Sequence, residues 1–445
     1  FFKRRPDALI PRHLRFEIPE RILYTGEVHK SLDEKALKPI VRELRKHNVA
    51  AVAVCLLHSY ANPVHEKRLK ELLQAECPDI DVSISSEVLP EIKEYERMST
   101  TCINASVSYI VDNYLKELGS QLGRKGFDKT VHIMQSNGGI MPSRVAGRKS
   151  VTTVLSGPAA GVLGGMMLAK QAGLDNVITV DMGGTSFDIC LAYQGELRFT
   201  RECEIGGHAL KVPMIDIHTI GAGGGSIAWI DRGGSLRVGP RSAGAKPGPV
   251  CYGRGGTEPT VTDANLALSR LNKDYFLGGE MSVDATAAHN AIDSSIAKPL
   301  NLTVTEAAEG IIRVVNASMV KGIRYVSVER GYDPREFSLV CFGGNGPVHG
   351  SELARELSIP RVVVPFAPGV NCAYGLLMGD FRYDYVRTHL RRSTELDFDE
   401  LSGVYNELED TARGRMREDG VPDKNILVAR TVDLRYAGQG YELEV

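Results

Sequence analysis

Two carboxylates, two glycines and two hydroxyl side chains lie within the eight residues from Asp181 to Asp188. The segments on either side, residues 176–180 and 187–193, are largely apolar, and a third β-prone segment follows at 196–201. This pattern predicts antiparallel strands, the first two joined by a glycine loop. In a P-loop or a dinucleotide-binding fold the glycine loop would open a helix instead.

Such a loop carries the groups that bind the phosphates of a nucleotide and their metal ion. Glycines let backbone N–H groups approach an anion, hydroxyls add donors, and carboxylates hold Mg²⁺ directly or through water. An ordinary hairpin turn also favours Gly-Gly, but it does not need the acids and hydroxyls beside it. We therefore predict phosphate contacts from Asp181, Gly183, Gly184, Thr185, Ser186 and Asp188, with Asp181 and Asp188 as the metal ligands.

A second glycine loop follows an apolar segment at residues 337–342 and precedes a helical pattern that runs to residue 357. Glycines between a strand and a helix N-terminus make a surface where flat or anionic ligand groups can approach the backbone. The alternative is an ordinary strand-to-helix turn. Gly343, Gly344 and Gly346 are therefore candidates for contact with such a ligand group.

An acid and a histidine, Asp216 and His218, precede a third glycine-rich segment. On a strand, residues i and i+2 face the same side, so both side chains could converge on a substrate or a metal. The alternative is a hydrogen-bonded core histidine that Asp216 orients. We predict a catalytic role for Asp216 and His218 and a cofactor-binding role for Gly223, Gly224 and Gly225.

Two further polar residues, Asp263 and His349, have both a structural and a functional interpretation. Asp263 stands at the start of a predicted helix, where an N-cap explains an acid well. His349 lies in the first turn of the helix after the second glycine loop, where it touches a nucleotide or covers the helix end.

The order of these motifs resembles the superfamily of actin, sugar kinases and heat-shock chaperones, and more closely the hydantoinase A / 5-oxoprolinase family. That family also includes acetone and acetophenone carboxylase subunits. The matching segments besides residues 181–188 are EYERMSTT at 94–101, QSNGG at 135–139, SGPAAG at 156–161, MIDIHTIGAGGGS at 214–226, GAKPGP at 244–249, PTVTDAN at 259–265 and GGNGP at 343–347.

The resemblance implies an α/β protein with an actin-like or sugar kinase-like ATPase fold, built from ribonuclease H-like domains, and a partial extra C-terminal domain. We expect the remainder of an N-terminal α/β domain at residues 1–90, a hydantoinase A-type ATPase domain at 91–385 and the start of a C-terminal domain at 390–445. Family members begin with another Asp-x-Gly-Gly-Thr loop, which this sequence does not contain. We therefore expect an internal fragment without the N-terminal phosphate loop and most of the C-terminal domain, and weak ATP binding.

The resemblance also implies a function. We expect one subunit of an ATP-dependent hydrolase that opens a small cyclic amide of the hydantoin, N-methylhydantoin or 5-oxoproline type through a phosphorylated intermediate. The cofactors would be ATP and Mg²⁺ or another divalent metal, and the partner a hydantoinase B-type subunit or fused domain. By the same resemblance, Gly343, Gly344 and Gly346 would flank the adenosine. The alternatives are an ATP-dependent ketone carboxylase subunit of the acetone or acetophenone type, and a non-catalytic ATP-driven reactivase.

Composition narrows the class of protein. The 445 residues are 43% hydrophobic and carry a formal net charge of −2, which is ordinary for a globular protein and gives no sign of a nucleic-acid partner. No apolar segment is long enough to span a membrane. The eight cysteines occur singly, without a Cys-x-x-Cys pair, which argues against a thiolate zinc site and fits the cytoplasm.

Helical patterns are predicted at residues 33–48, 63–75, 97–122, 263–271, 285–296, 304–328 and 398–419. A further helix at 159–171 would be capped by Ser156. Its Gly161, Gly164 and Gly165 indicate close packing, either of the sheet or of a ligand.

Overall fold

The computed structural model describes residues 6–445, so residues 1–5 of the predicted first domain lie outside it. The helices are α1 Leu37–Lys46, α2 Val64–Glu76, α3 Ser85–Val88, α4 Glu94–Arg124, α5 Ser143–Ala146, α6 Ser156–Gln171, α7 Val261–Ala267, α8 Ala285–Ile292, α9 Lys298–Leu300, α10 Val304–Val326, α11 Gly346–Leu357, α12 Asn371–Leu376 and α13 Phe398–Glu418. A π-helical turn, Asp293–Ala297, joins α8 to α9.

The strands are β1 Arg21–Ile22, β2 Val28–Lys30, β3 Ala51–Val54, β4 Asp81–Ile84, β5 His132–Met134, β6 Ile140–Pro142, β7 Val177–Met182, β8 Phe187–Tyr193, β9 Glu196–Leu197, β10 Phe199–Ile205, β11 His208–Ile215, β12 Ile217–Ile220, β13 Ser226–Ile230, β14 Leu236–Ser242, β15 Ser338–Phe342, β16 Arg361–Val363, β17 Asp433–Leu434 and β18 Leu443–Glu444. The third strand predicted at 196–201 is in fact split between β9 and β10, which belong to different sheets.

The central sheet has the strand order β12-β8-β7-β15-β16. Its first strand, β7, lies in the middle, antiparallel to β8 and parallel to β15. The two-residue strand β9 pairs with β8 as a sixth strand of this sheet. Without β9, the chain order across the sheet is third, second, first, fourth, fifth, with the second strand reversed, which is the ribonuclease H-like arrangement. The predicted α/β fold class is confirmed. The domain boundaries near residues 90 and 385–390 stay a prediction.

Alternate residues of the central strands face two different helical layers. Ile178, Val180 and Ile189 belong to the largest apolar cluster, together with residues of α10. On the opposite face α6 and α12 pack, and here the glycines of α6 have a structural explanation. A Cβ at Gly161 would meet Phe342 and Cys372, one at Gly164 would meet Asn371, and one at Gly165 would meet Thr179. Sheet and helix packing, not a ligand, accounts for these glycines.

The predicted capping of two helices is wrong in detail. Leu155, with φ 57°, is the N-cap of α6, and Ser156 is its first helical residue. Thr260, not Asp263, is the N-cap of α7, and Asp263 completes a capping box from the third helical position. No side chain caps α6, whereas α7 has its capping group one turn earlier than predicted.

Buried polar side chains of the long helix α4 form hydrogen bonds with chain segments that precede and follow it in the sequence. The fully buried Arg97 donates to Ser59 Oγ and to the carbonyl of Leu56 at 2.9 Å. Asn104 Oδ1 accepts from the N–H of Val151 at 3.1 Å. Arg97 and Asn104 are therefore explained by contacts that hold separate chain segments together, since a buried polar group needs a partner.

Candidate phosphate and metal site

The glycine loop at residues 183–186 joins β7 and β8 as an antiparallel hairpin, as the sequence predicts. Its N–H of Gly183 donates to the carbonyl of Ser186 at 3.3 Å. A Cβ built at Gly183 or Gly184 would meet no atom within 4 Å, so the tip is open to a ligand. Within residues 6–445 the N–H groups of Gly184 and Thr185 have no hydrogen-bond partner. They are free to donate to an anion.

Asp181 and Asp188 are directly opposite each other at the root of this hairpin. Like charges in this position destabilise a sheet. In the part of the chain that the structure describes, neither carboxylate forms a salt bridge with Lys, Arg or His. Within residues 6–445 no cationic side chain compensates the pair.

The electrostatics of both acids follow from this position. Burial raises the pKa of Asp181, the hydrogen bond from Cys372 opposes this rise, and the negative charge of Asp188 adds to it. Burial also raises the pKa of Asp188, and the hydrogen bonds from Thr219 and Ser186 oppose the rise. A bound cation would lower both pKa values and remove the repulsion.

Each carboxylate is oriented by a donor from another element. Thr219 Oγ1 donates to Asp188 Oδ1 at 2.6 Å, and Ser186 Oγ donates to Oδ2 at 3.2 Å. Cys372 Sγ donates to Asp181 Oδ2 at 3.4 Å. Burial beside Asp181 raises the pKa of the Cys372 thiol to about 12, so the thiol keeps its proton. Sequence reasoning identified neither Thr219 nor Cys372 as site residues.

The third glycine loop supports the hairpin from behind. The N–H groups of Gly224 and Gly225 donate to the carbonyls of Gly183 and Gly184 at 3.0 and 2.7 Å. The N–H of Gly223 donates to a side chain of its own loop, Ser226 Oγ, at 3.0 Å. All three N–H groups form hydrogen bonds within the protein, and those of Gly224 and Gly225 bind the hairpin backbone directly. The predicted cofactor-binding role of Gly223, Gly224 and Gly225 stays a prediction.

The second glycine loop also meets the hairpin. Asn345 donates from its N–H to the Met182 carbonyl at 2.9 Å and from Nδ2 to the Gly183 carbonyl at 3.3 Å. Gly343 has φ 80°, and a Cβ there would overlap with Asp181 Oδ1. Gly344 faces open space, and Gly346 begins α11. The structure thus brings the three glycine loops together, while the contact of Gly343, Gly344 and Gly346 with adenosine stays a prediction.

The donor set of the site fits Mg²⁺. It offers two carboxylates and nearby hydroxyls, all oxygen ligands, and Mg²⁺ usually takes one or two carboxylates together with phosphate oxygens and waters. Among residues 6–445 no group of three or more His, Cys, Asp or Glu side chains is placed to hold a metal. Asp181 and Asp188 would therefore share the ion with a phosphate ligand instead of enclosing it.

Asp216 and His218 lie on the other face of the same sheet. Thr219 pairs with Asp188, whereas His218 pairs with Ile189, whose side chain belongs to the core under α10. Strand alternation therefore turns His218 away from Asp181 and Asp188.

The pair has partners of its own on that face. Asp216 lies in the break between β11 and β12 and forms an ion pair with Arg330. The ring of His218 packs on Tyr325, with 4.4 Å between centroids. Burial lowers the pKa of His218, and the charge of Arg330 lowers it further. The catalytic role of Asp216 and His218 stays a prediction.

Asp263 and His349 are part of buried networks. The Asp263 carboxylate accepts from the N–H groups of Val250, Cys251 and Thr260 at 3.1, 2.8 and 2.9 Å. His349 contacts Asn316 Oδ1 through Nδ1 at 2.7 Å and Asn265 Nδ2 through Nε2 at 3.1 Å. Both side chains are fully buried, and these contacts give them a structural role.

Comparison with known proteins decides the family. Residues 97–385 match the family described as hydantoinase/oxoprolinase, and residues 2–77 match the hydantoinase/oxoprolinase N-terminal region. The chain belongs to the hydantoinase/oxoprolinase family. This confirms the resemblance that the motifs indicate.

Individual members of the hydantoinase/oxoprolinase family are similar over nearly the whole chain. This chain is 43% identical to caprolactamase subunit alpha of Pseudomonas jessenii over 440 residues, and the alignment covers 98% of this chain and 63% of the relative. The crystal structure of ATP-dependent caprolactamase from Pseudomonas jessenii matches with a TM-score of 0.84 and 42% identity, over 100% of this chain and 65% of that one. The nucleotide-free structure of acetone carboxylase matches with a TM-score of 0.81 and 28% identity, over 99% and 63%.

The chain therefore spans slightly less than two thirds of the length of these relatives. Within residues 6–445 we find no helix with the length and hydropathy that a membrane span needs.

Proposed function

We propose that this chain is the ATP-binding part of an ATP-dependent enzyme that opens a small cyclic amide. One observation carries the proposal: Asp181 and Asp188 are opposed at the root of an open glycine hairpin, and no cationic side chain among the described residues 6–445 compensates them. A divalent metal with its phosphate ligand supplies that compensation. The relative described as an ATP-dependent caprolactamase, 42% identical, supports both the nucleotide and the substrate class.

Different groups of the chain would bind different parts of the nucleotide and its metal ion. The free N–H groups of Gly184 and Thr185 would donate to phosphate oxygens. Asp181 and Asp188 would hold Mg²⁺, which when bound neutralises charge that develops on the transferring phosphoryl group. The loop around Gly344, which faces open space, would flank the adenosine. Phosphoryl transfer needs positioning and charge neutralisation more than covalent chemistry, and these contacts supply both.

In the proposed reaction the γ-phosphoryl group passes from ATP to the carbonyl oxygen of the cyclic amide. Water then adds to the activated carbon, and the ring C–N bond breaks as the nitrogen takes up a proton, which leaves an acyl phosphate. A second water hydrolyses the acyl phosphate and releases phosphate. The products are the ring-opened carboxylate, ADP and phosphate. Asp216 and His218 are the candidate catalytic pair for ring opening, and a substrate would reach them around the edge strand β12, since they lie on the far face of the sheet.

A carboxylase is the second candidate. The acetone carboxylase structure has a TM-score of 0.81 to this chain, so the same fold carries ATP-dependent carboxylation in a relative. The glycine loops do not separate the two reactions, because both need ATP bound in the same way. We further propose a B-type partner subunit or fused domain, which the description of the Pseudomonas jessenii relative as a subunit supports.

The test is ATP turnover by the protein, alone and with its B-type partner, in the presence of hydantoin, 5-oxoproline or caprolactam, and separately of acetone or acetophenone with bicarbonate. We expect ADP release that depends on one of the cyclic amides. Asp181→Asn should abolish it, and the exposed Asp175→Asn, at the other end of the same sheet, should not. ATP turnover that responds to a ketone and bicarbonate alone would favour the carboxylase, and turnover unaffected by Asp181→Asn would contradict the proposed site.

A further inference from the structure

We infer that Thr219 of the edge strand β12 is a positioning residue that fixes the carboxylate of Asp188 for the metal and phosphate site. The inference rests on the proposed function, since it assigns a role within the same site. Thr219 lies within the family segment at residues 214–226, but the sequence motifs predict no role for it.

The geometry places Thr219 beside Asp188 through the register of the sheet. Strand β12 is antiparallel to β8, and Thr219 is the direct cross-strand partner of Asp188. The 2.6 Å hydrogen bond from Thr219 Oγ1 to Asp188 Oδ1 is the closest of the three contacts that orient the two carboxylates. In turn, Asp188 is the cross-strand partner of Asp181. The three residues therefore form a row across three strands on one face of the sheet.

The donor is a rigid one. A carboxylate rotates about a broad, roughly two-fold terminal torsion, so its oxygens have no fixed direction unless donors hold them. Ser186, which holds Oδ2 at 3.2 Å, belongs to the hairpin loop. Thr219 is β-branched and sits within a paired strand, where its side-chain torsion is restricted. Each Asp188 oxygen keeps a lone pair for a further ligand.

A purely structural role does not explain the contact. Thr219 is exposed, and within the described residues 6–445 its hydroxyl has no other hydrogen-bond partner. An exposed hydrogen bond adds little to stability, because water replaces either partner. Asp181 is held in a similar way from the other side, by Cys372 of α12. The two acids are thus oriented by donors from β12 and α12, and the glycine tip between them stays open.

The test is calorimetric titration of the protein with ADP, once with Mg²⁺ and once with EDTA. The variants are Thr219→Val, which keeps the shape and removes the donor, and Thr219→Ser, which keeps the donor. Thr200→Val is the matched control, because its hydroxyl bonds within its own strand, to the carbonyl of Glu202 at 3.1 Å.

We expect Thr219→Val to weaken ADP binding about tenfold in Mg²⁺ and to leave it unchanged in EDTA, because one charge-assisted hydrogen bond in the metal site is lost. Thr219→Ser and Thr200→Val should bind like the wild type, and the melting temperatures of all variants should agree within a few degrees. Unchanged binding by Thr219→Val in Mg²⁺, or equal losses with and without the metal, would overturn the inference alone. A wild-type protein whose ADP affinity does not depend on Mg²⁺ would overturn the proposed function and the inference together.

Discussion

Gly343 and Asp181 touch so closely that residue 343 has no room for a side chain: a Cβ there would overlap with Asp181 Oδ1. Asp181 is the second-last residue of β7, and Gly343 directly follows the neighbouring parallel strand β15, whose last residue, Phe342, pairs with Asp181. The backbone of Gly343 is also left-handed, with φ 80°. The glycine of the second loop thus sets the position of the acid of the first.

Gly343→Ala should therefore weaken nucleotide binding as well as folding. The positive φ alone costs an alanine about 1–2 kcal/mol, and the new methyl group would displace the Asp181 carboxylate. Gly173→Ala is the matched control, since Gly173 has φ 69° but open space around it. Denaturant unfolding should show a loss for both variants, whereas Mg·ADP binding should fall only for Gly343→Ala. Equal binding by both variants would contradict a role of Gly343 in placing Asp181.

Asp181→Asn should separate binding from stability. Because the folded protein raises the pKa of Asp181, the ionised carboxylate opposes folding at neutral pH. Without metal or nucleotide the variant should therefore unfold at the same denaturant concentration as the wild type or a higher one. Its rate of ATP turnover should fall by about 100-fold or more, since a charge is missing from the phosphate and metal site. If the variant is less stable than the wild type but its turnover per folded molecule is normal, Asp181 has a structural role and does not bind the metal or phosphate.

The parts of the site that are local in sequence could be predicted. The hairpin and its opposed acids follow from apolar segments on both sides of Asp181–Asp188, and residues 6–445 show them as expected. The donors that orient the acids could not be predicted, because Thr219 follows Asp188 by 31 residues and Cys372 follows Asp181 by 191. Only the register of β12 and the packing of α12 bring them together.

The position of His218 shows the same limit. The sequence predicts Asp216 and His218 on one strand, but Asp216 lies in the break before β12. Both residues nevertheless contact the cluster of Arg330 and Tyr325, Asp216 through Arg330 and His218 through Tyr325. The pairing of Thr219 with Asp188 decides which face of the sheet His218 occupies. The spacing of residues within 214–226 does not reveal this pairing. The alternation rule relates neighbours on one strand and says nothing about the neighbouring strand.

If Asp216 and His218 act in ring opening, His218→Ala should remove substrate-dependent turnover and leave Mg·ADP binding intact, because the sheet separates the two sites. The melting temperature should stay within a few degrees, since His218 is only partly buried. Tyr325→Leu is the companion variant, because it removes the ring that packs on His218 and keeps the histidine. Normal turnover per folded molecule in His218→Ala, with a lower melting temperature, would instead make the cluster a structural one.

His349 should make the stability of the protein depend on pH. Burial lowers its pKa to about 4, so the folded protein keeps the ring neutral in a range where the unfolded chain, with a histidine pKa of about 6.5, binds a proton. The unfolded state therefore binds more protons between these values, and stability is full above pH 6.5 and is lost as the pH falls toward 4. The loss from this residue alone should approach about 3 kcal/mol. Chemical denaturation from pH 7.5 to 4.5 measures it.

His349→Gln should be less stable at pH 7.5, because the contacts with Asn265 and Asn316 change, and should show a shallower pH dependence. The exposed His289→Gln should retain the wild-type slope. The same slope in His349→Gln as in the wild type would show that other groups cause the acid sensitivity.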